Sequence, residues 1–210
     1  MKDKYASTNY FVSILCWLFI GFCLTFNSAI AADINHLTKD QQQVFSQVKS
    51  KLASQKLLVG DFKQIRKIAL LSSPLISSGN FELSKENGLK WYQMKPFKSS
   101  LIVTDTRISQ TIGNNPATVI DKKDQPIVFA FTHIFLSLFQ GDIELVKAYF
   151  KIDFSGSDNQ WQVKLIPISS PLDKAIESIL VSGGTYVSFI EVNQPHGDQM
   201  SIYFSNIKEK

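Results

Sequence analysis

Cysteine is almost absent from this chain. Cys16 and Cys23 are its two cysteines in 210 residues, and both lie in an apolar stretch near the N-terminus. Beyond that stretch the sequence offers no thiol for a disulfide or a metal ion. The folded part must therefore be stabilised by burial of apolar side chains, and a zinc site built from cysteines is excluded.

Charge is scarce as well. Charged residues make up 19% of the chain and its formal net charge is +4. Phosphate binding usually depends on a concentrated stripe of basic residues, which this sequence lacks. No nucleic-acid partner is expected.

Catalytic and metal-binding motifs are missing. The three histidines, His36, His133 and His196, share no metal-ligand spacing, and no serine stands in a Gly-x-Ser-x-Gly motif. We therefore expect no enzyme, no metal and no cofactor. His133 is interpreted as a core or lid histidine inside an apolar helix, and a hydrolase built from scattered serines, His133 and an aspartate is the enzymatic alternative.

The N-terminus has the layout of a secretory signal peptide. Lys2 and Lys4 precede an apolar run over residues 11–26, and Ala29 and Ala31 supply small residues at a cleavage point. The apolar run is shorter than the roughly 20 residues of a membrane-spanning helix. These features predict a cleavable signal and export to the periplasm.

The signal peptide is assigned to residues 1–31, with cleavage near Ala31, and residues 32–210 form a single domain. An uncleaved inner-membrane anchor is the alternative. A lipoprotein anchor is not expected, because neither Cys16 nor Cys23 follows the small residue that lipoprotein processing requires.

Periodicity predicts a helix, a group of strands, a helix pair and a second group of strands. Thr38 and Gln41 form a capping box before an amphipathic helix, and Asn87-Gly88 predicts a hairpin. Pro126 begins a helix that is apolar almost all round over residues 127–139, and Asp142 can cap a short second helix. Strands are predicted at 59–68, 77–83, 89–94, 99–104, 107–112, 150–154, 160–167, 185–192 and 200–207, while 174–181 fits a helix or a strand.

This order of elements predicts a mainly β (α+β) fold. A single curved antiparallel sheet, or incomplete β-barrel, would surround a cavity that the helix pair covers.

Several fragments carry a resemblance to a known family. In order and spacing they resemble the LolA-type outer-membrane lipoprotein carriers over nearly all of residues 32–210. The fragments are Phe62-x-Gln64, Ser78-Gly79-x-Phe81-x-Leu83, Leu89-x-Trp91 with Pro96, Leu101 to Asp105, Trp161-x-Val163-x-Leu165-x-Pro167, Ile176 to Val181, Ile190-Glu191 and Ile202-x-Phe204-Ser205-Asn206.

The resemblance implies a monomeric carrier without covalent chemistry. Its partners would be an acylated lipoprotein or lipid cargo, an inner-membrane releasing transporter or exporter, and an outer-membrane acceptor. Lys85-Glu86 stands where the family usually has an Arg-Pro pair, whose arginine bonds to the lid helices. Since lysine is a point donor rather than a planar fork, we expect a divergent relative, serving a lipoprotein, glycolipid or pigment lipid.

The candidate site is a set of large apolar side chains on the strands and the apolar helix. Arg66 and Lys85 are the candidates for control of the lid, with plain solvation as the alternative. For each apolar residue, ordinary core packing is the alternative. The wall and lid candidates are Phe62, Phe81, Trp91, Tyr92, Met94, Leu101, Val103, Phe129, Phe131, Ile134, Phe135, Leu138 and Phe139.

A second function fits the same pattern. A periplasmic adaptor that senses lipids or lipoproteins could regulate a membrane partner with the same fold. A membrane-fixed acceptor would need an acyl anchor, and the missing lipoprotein signal argues against it.

Overall fold

Strands make up most of the computed structural model, which describes residues 38–124, 126–170 and 172–210. The predicted signal peptide and His36 lie outside these ranges. The elements are helices α1 (Lys39–Ser54), α2 (Pro126–Gln140) and α3 (Ile143–Lys147), and strands β1 (Leu57–Lys67), β2 (Leu75–Ser84), β3 (Gly88–Lys95), β4 (Ser99–Val103), β5 (Arg107–Ile112), β6 (Thr118–Asp121), β7 (Phe150–Gly156), β8 (Trp161–Pro167), β9 (Ser178–Gly183), β10 (Val187–Asn193) and β11 (Gln199–Glu209).

All eleven strands form one antiparallel sheet in the order β6-β5-β4-β3-β2-β1-β11-β10-β9-β8-β7. The first and last strands pair at its centre, where Phe62 lies opposite Phe204. β6 and β7 are the two edges, so the sheet does not close into a barrel, and α2 and α3 connect one edge to the other along the chain. The predicted fold class, a mainly β (α+β) fold with one curved antiparallel sheet that forms an incomplete barrel, is confirmed.

Helix α1 begins as its sequence predicts. The Thr38 hydroxyl accepts from the backbone N–H of Gln41, and the Gln41 side chain accepts from the backbone N–H of Thr38, which completes the capping box. The apolar stripe of α1 is buried, and Phe45 packs against Phe154 of β7 with ring centroids 5.0 Å apart. The helix therefore covers the β7 end of the sheet.

Helix α2 lies against the sheet and ends at a tight turn. Phe129 is fully buried, and Phe139 packs edge-on to Phe204 of β11. Gly141 ends the helix with φ 66°, and a Cβ there would lie 2.5 Å from the Lys49 carbonyl oxygen of α1, so glycine is required. Asp142 precedes α3 as expected but makes no capping hydrogen bond through its side chain.

No helix in the described ranges has the length and apolar character needed to cross a membrane.

The predicted β2–β3 hairpin also depends on a glycine. Residues 85–87 form the turn, and Gly88 opens β3 with φ 73°, a conformation that favours glycine. A Cβ at Gly88 would lie 2.0 Å from the carbonyl oxygen of Val103 on the neighbouring strand β4. The Asn-Gly pair therefore fixes both the turn and the close approach of two strands.

Two parts of the sheet differ from the sequence prediction. β6 was not predicted, because it has only four residues, follows a loop with Gly113 and Pro116, and pairs only with β5. The ambiguous segment 174–181 is a turn followed by β9, which begins at Ser178. Ile176, Ile179 and Val181 are buried on both the turn and the strand, so the spacing of the apolar residues fits neither a regular helix nor a regular strand throughout.

Candidate functional site

Cross-strand pairing places one set of side chains on the face of the sheet that meets the helices, here called the inner face. Since successive residues of a strand point to opposite faces, directly paired residues share a face. Phe81, Trp91 and Leu101 are paired in turn across β2, β3 and β4, and Gln110 of β5 continues the row. The inner face of this half is therefore a continuous surface with a polar residue at its margin.

Five aromatic rings meet on this face. Phe62 stacks on Trp91 with ring centroids 3.6 Å apart and planes 24° from parallel, and Phe204 meets Phe81 edge-on at 5.3 Å. Phe139 of α2 reaches Phe204 at the same centroid distance of 5.3 Å. We call Phe62, Phe81, Trp91, Phe139 and Phe204 the aromatic floor, and all five are buried. Stacked and edge-on ring pairs stabilise the folded state beyond the free energy gained by burying their apolar area.

Polar side chains lie beside the floor, toward the end of the sheet where β1 ends and β2 begins. Gln64 pairs with Ser77, and Gln93 pairs with Ser99, all of them partly exposed. Arg66, two residues beyond Gln64, shares their face and is also partly exposed. We call Gln64, Arg66, Ser77, Gln93 and Ser99 the polar band.

Arg66 is the charged member of the polar band. Burial lowers the pKa of its guanidinium, and the nearby carboxylate of Asp198 acts in the opposite direction. The group stays protonated at neutral pH, because an arginine pKa begins far above that range. The inner face therefore combines an apolar floor with a cationic, hydrogen-bonding margin.

Gln110 adds a buried acceptor to the wall. Its side chain is 7% exposed, and its Oε1 atom has no hydrogen-bond partner within the described ranges. It lies between Leu101 of β4 and Thr118 of β6, two residues from the buried Ile108. A buried carbonyl without a donor is costly, so such atoms are uncommon and point to a role.

The wall and lid candidates fall into several groups. Leu101 and Val103 lie on the inner face, while Phe129 and Leu138 are buried on α2. Together with Phe62, Phe81, Trp91 and Phe139, they are the candidates that the structure brings together. The side chains of three further candidates, Phe131, Ile134 and Phe135, lie outside the described part of the chain.

Two candidates lie elsewhere. Tyr92 pairs with Asn80 on the outer face, because it directly follows Trp91 in the strand. Met94 is 50% exposed at a register shift, where Ser78 pairs with Lys95 and Gly79 with Gln93. The sequence analysis grouped both with Trp91 by hydrophobicity, although alternation alone separates Tyr92 from Trp91.

Phe204 and Gln110 were missing from the candidate set. For Phe204 a signal was present, since Met200, Ile202 and Phe204 alternate along β11 and are all buried. For Gln110 the signal was its spacing of two from Ile108, which predicts the same face but not burial of a polar group.

Lys85 lies in the β2–β3 turn, away from the aromatic floor. Its ammonium group donates a hydrogen bond to the carbonyl oxygen of Ala53, in the last turn of α1. A cation at that place interacts favourably with the helix dipole and with carbonyls that lack partners within the helix. The contact goes to α1, whereas the resemblance implied a bond to the α2–α3 pair.

The remaining candidates for chemistry are clusters of metal-binding side chains and the histidines. Across the described ranges, no three or more His, Cys, Asp or Glu side chains come together in a way that could hold a metal ion. His133 lies partly buried on α2, where its carbonyl oxygen accepts from the Ser137 hydroxyl, and His196 is exposed in a turn between β10 and β11.

Comparison with known families decides the assignment. A family model described as outer membrane lipoprotein carrier protein, LolA-like, matches residues 39–205, which is most of the chain. The chain belongs to this LolA-like family. No curated protein matches it in sequence. The resemblance noted in the sequence is thereby confirmed.

Solved structures with a similar fold share little sequence with this LolA-like protein. A LolA superfamily protein from Nitrosomonas europaea is 7% identical with a TM-score of 0.44, and the match covers 81% of this chain and 93% of that one. A putative outer membrane lipoprotein-sorting protein domain from Vibrio parahaemolyticus is 7% identical, with the same coverages and a TM-score of 0.40. The MucA/MucB complex structure from Pseudomonas aeruginosa is matched at 9% identity and a TM-score of 0.47, over 80% of this chain and 56% of that one.

Proposed function

We propose that this LolA-like protein is a periplasmic carrier that shelters acyl chains against the aromatic floor and transfers them from the inner to the outer membrane. The cargo is an acylated lipoprotein, a glycolipid or a pigment lipid. A releasing transporter or exporter in the inner membrane and an acceptor at the outer membrane complete the route, and the carrier acts as a monomer without covalent chemistry.

The observation that carries this proposal is the aromatic floor with the polar band beside it. An acyl chain in water gains about 0.8 kcal/mol per buried methylene, so a chain of ~16 carbons gains on the order of 10 kcal/mol in an apolar site. The floor supplies apolar area, and the polar band supplies donors and acceptors within one strand length. An amphiphile likewise has an apolar chain followed by a polar headgroup, so its chain would lie on the floor and its headgroup at the polar band.

Entry of the chain requires movement of α2. Phe139 is the part of the floor that α2 contributes, and it lies against Phe204 of β11. An acyl chain that replaces this contact keeps Phe204 covered while α2 moves away. Phe204 then exchanges one apolar neighbour for another, which lowers the free-energy cost of moving α2.

Tryptophan fluorescence can test the site directly. Trp91 belongs to the floor, whereas Trp161 of β8 is buried in the other half of the sheet, where its indole N–H donates to the Gly184 carbonyl oxygen. We would compare Trp17→Phe/Trp161→Phe, which reports on Trp91, with Trp17→Phe/Trp91→Phe, which reports on Trp161, at probe concentrations that isothermal titration shows to saturate each variant. The probe is a synthetic diacyl lipopeptide with brominated acyl chains, because bromine quenches tryptophan at short range.

The expected result is saturable quenching of Trp91 with little quenching of Trp161. Equal quenching of both would place the acyl chain elsewhere, and no quenching with no thermal shift would contradict carriage. Native mass spectrometry of protein taken from its own periplasm then identifies the bound species. An empty protein in a tight complex with a membrane regulator would favour the adaptor function instead.

A further inference from the structure

The end of the sheet beyond the polar band carries exposed apolar side chains. Leu70 is 96% exposed in the loop between β1 and β2, and Phe97 is 56% exposed in the turn between β3 and β4. We call this surface the rim, and its members are Leu70, Leu71, Leu75, Ile76, Met94 and Phe97.

Register places these residues together. β1, β2 and β3 are antiparallel neighbours, so the β1–β2 loop and the β3–β4 turn leave the sheet at the same end. Ile76 is two residues from Ser78, which pairs with Lys95, and Phe97 is two residues beyond Lys95. The rim is therefore the end of the sheet around two adjacent connections: Leu70, Leu71 and Phe97 lie in the connections. Leu75, Ile76 and Met94 are strand residues that border them, with Leu75 and Ile76 on opposite faces of β2.

Basic residues flank the same connections. No acidic residue occurs between Asp61 and Glu82, or between Glu86 and Asp105. Three of the basic residues in these intervals flank the two connections, namely Lys67, Lys95 and Lys98, and Arg66 lies beside them in the polar band. Lys90 lies toward the other end of β3, where it forms an ion pair with Glu82. Asp198, in the connection between β10 and β11, accepts a hydrogen bond from the Ala69 backbone N–H at 2.9 Å, which fixes the loop.

We propose that the rim docks on the surface of a bilayer that contains anionic lipid. Leucine and phenylalanine side chains at loop tips enter the boundary between headgroups and acyl chains, while flanking lysines remain at the phosphates. Each lysine near an anionic surface strengthens the attraction, and the apolar tips supply the part that salt does not screen. The positive charge fits an anionic surface, and the exposed leucine and phenylalanine side chains favour lipid over an acidic patch on a protein, because they need an apolar medium to enter.

This inference goes beyond acyl-chain carriage. It concerns residues outside the aromatic floor, and rim docking holds whether or not the floor binds cargo. Docking by the rim turns the polar band toward the bilayer, since the band and the rim share one end of the sheet.

Hydrogen exchange read by mass spectrometry localises the contact. The purified protein is mixed with vesicles of phosphatidylethanolamine and phosphatidylglycerol, and in parallel with vesicles of phosphatidylcholine alone. The expected result is slower exchange in residues 68–76 and 94–98 with the anionic vesicles only, with no change in the turns 104–106 and 157–160 at the opposite end. Because the signal is local, it holds whether residues 1–31 are present or removed.

Vesicle flotation then measures how strongly the protein binds the vesicles, as a partition coefficient. Leu70→Ser/Leu71→Ser should lower the partition coefficient at least about tenfold, and Lys95→Gln/Lys98→Gln should lower it by about the same factor at low salt only. The matched controls are Tyr203→Ser on the outer face and Lys151→Gln/Lys164→Gln on β7 and β8, all exposed positions that should leave partitioning unchanged. Thermal unfolding confirms that each variant folds.

Two outcomes would overturn the proposal. Unchanged exchange at the rim with anionic vesicles would show that the rim does not touch the bilayer. A concentration-dependent dimer in sedimentation without vesicles, abolished by Leu70→Ser/Leu71→Ser, would assign the rim to a second copy of this chain.

Discussion

The inner faces of the two halves of the sheet are lined by different kinds of residue. In β7 and β8 every second residue is buried as far as Phe154 and Leu165, and the row from Phe154 through Val163 to Val181 is apolar throughout. In β1 and β2 the inner face changes along the strand, from the buried Phe62 to the partly exposed Gln64 and Arg66.

This difference distinguishes a face suited to core packing from a face suited to binding a ligand. A face that is apolar over its whole length buries area under helices and gains stability. A face that is apolar at one end and polar at the other is less stable by itself but complements an amphiphile. The half made of β7 to β10 therefore acts as the scaffold, and the half made of β1 to β5 carries the candidate site.

The largest expected effect is in the scaffold half. Leu165→Ala removes a fully buried side chain from the inner face of β8. The lost burial and the remaining cavity should lower the free energy of unfolding by about 2–5 kcal/mol, measured by denaturant unfolding. Trp91 quenching by the brominated lipopeptide should be unchanged in the protein that remains folded.

Ile166→Ala, at an exposed position beside it, is the matched control and should change stability little. A selective loss of quenching in Leu165→Ala, at unchanged stability, would contradict the division between the two halves.

A smaller loss of stability, joined to a loss of binding, is expected in the site half. Trp91→Leu removes the stacking partner of Phe62 and part of the floor. We expect destabilisation by about 2 kcal/mol together with at least about tenfold weaker binding of the lipopeptide, measured by isothermal titration. Tyr92→Leu on the outer face is the control, and an equal loss of affinity there would mean that the floor is not the site.

Local patterns predicted most of the fold. The capping box at Thr38, the Asn87-Gly88 turn and the alternation in β7 and β8 depend on residues close in sequence, and each element was found within a few residues of its predicted bounds. The central pairing of β1 with β11 could not be predicted in this way, because it joins the two ends of the domain. Phe204 meets the floor only through that pairing.

The next effect has the opposite sign. Gln110→Met keeps the length of the side chain but removes a buried carbonyl that lacks a donor in the described ranges. Stability should rise by about 1 kcal/mol, and affinity for a cargo that donates a hydrogen bond to this atom should fall. Gln64→Met in the partly exposed polar band is the control and should not stabilise. A destabilised Gln110→Met would show that the amide is satisfied in the native protein.

The candidate site was predicted less completely than the fold, for a physical reason. Hydrophobicity selects Trp91 and Tyr92 equally, whereas the pleat of β3 puts them on opposite faces. Gln110 is buried because other parts of the chain cover the inner face, and the local sequence pattern does not predict that covering. Conversely, Lys85 was selected by family position, and its side chain instead reaches α1.

The smallest expected effect tests that last contact. Lys85→Met removes the ammonium that donates to the Ala53 carbonyl oxygen at the end of α1. Since the group is exposed and the gain is a helix-terminus interaction, the free energy of unfolding should fall by only about 0.5 kcal/mol, and less in high salt. Lys122→Met, an exposed lysine after β6, is the control for the loss of charge. If Lys85→Met instead left stability unchanged and altered the rate of lipopeptide release, the residue would act on cargo exchange, as the family position implied.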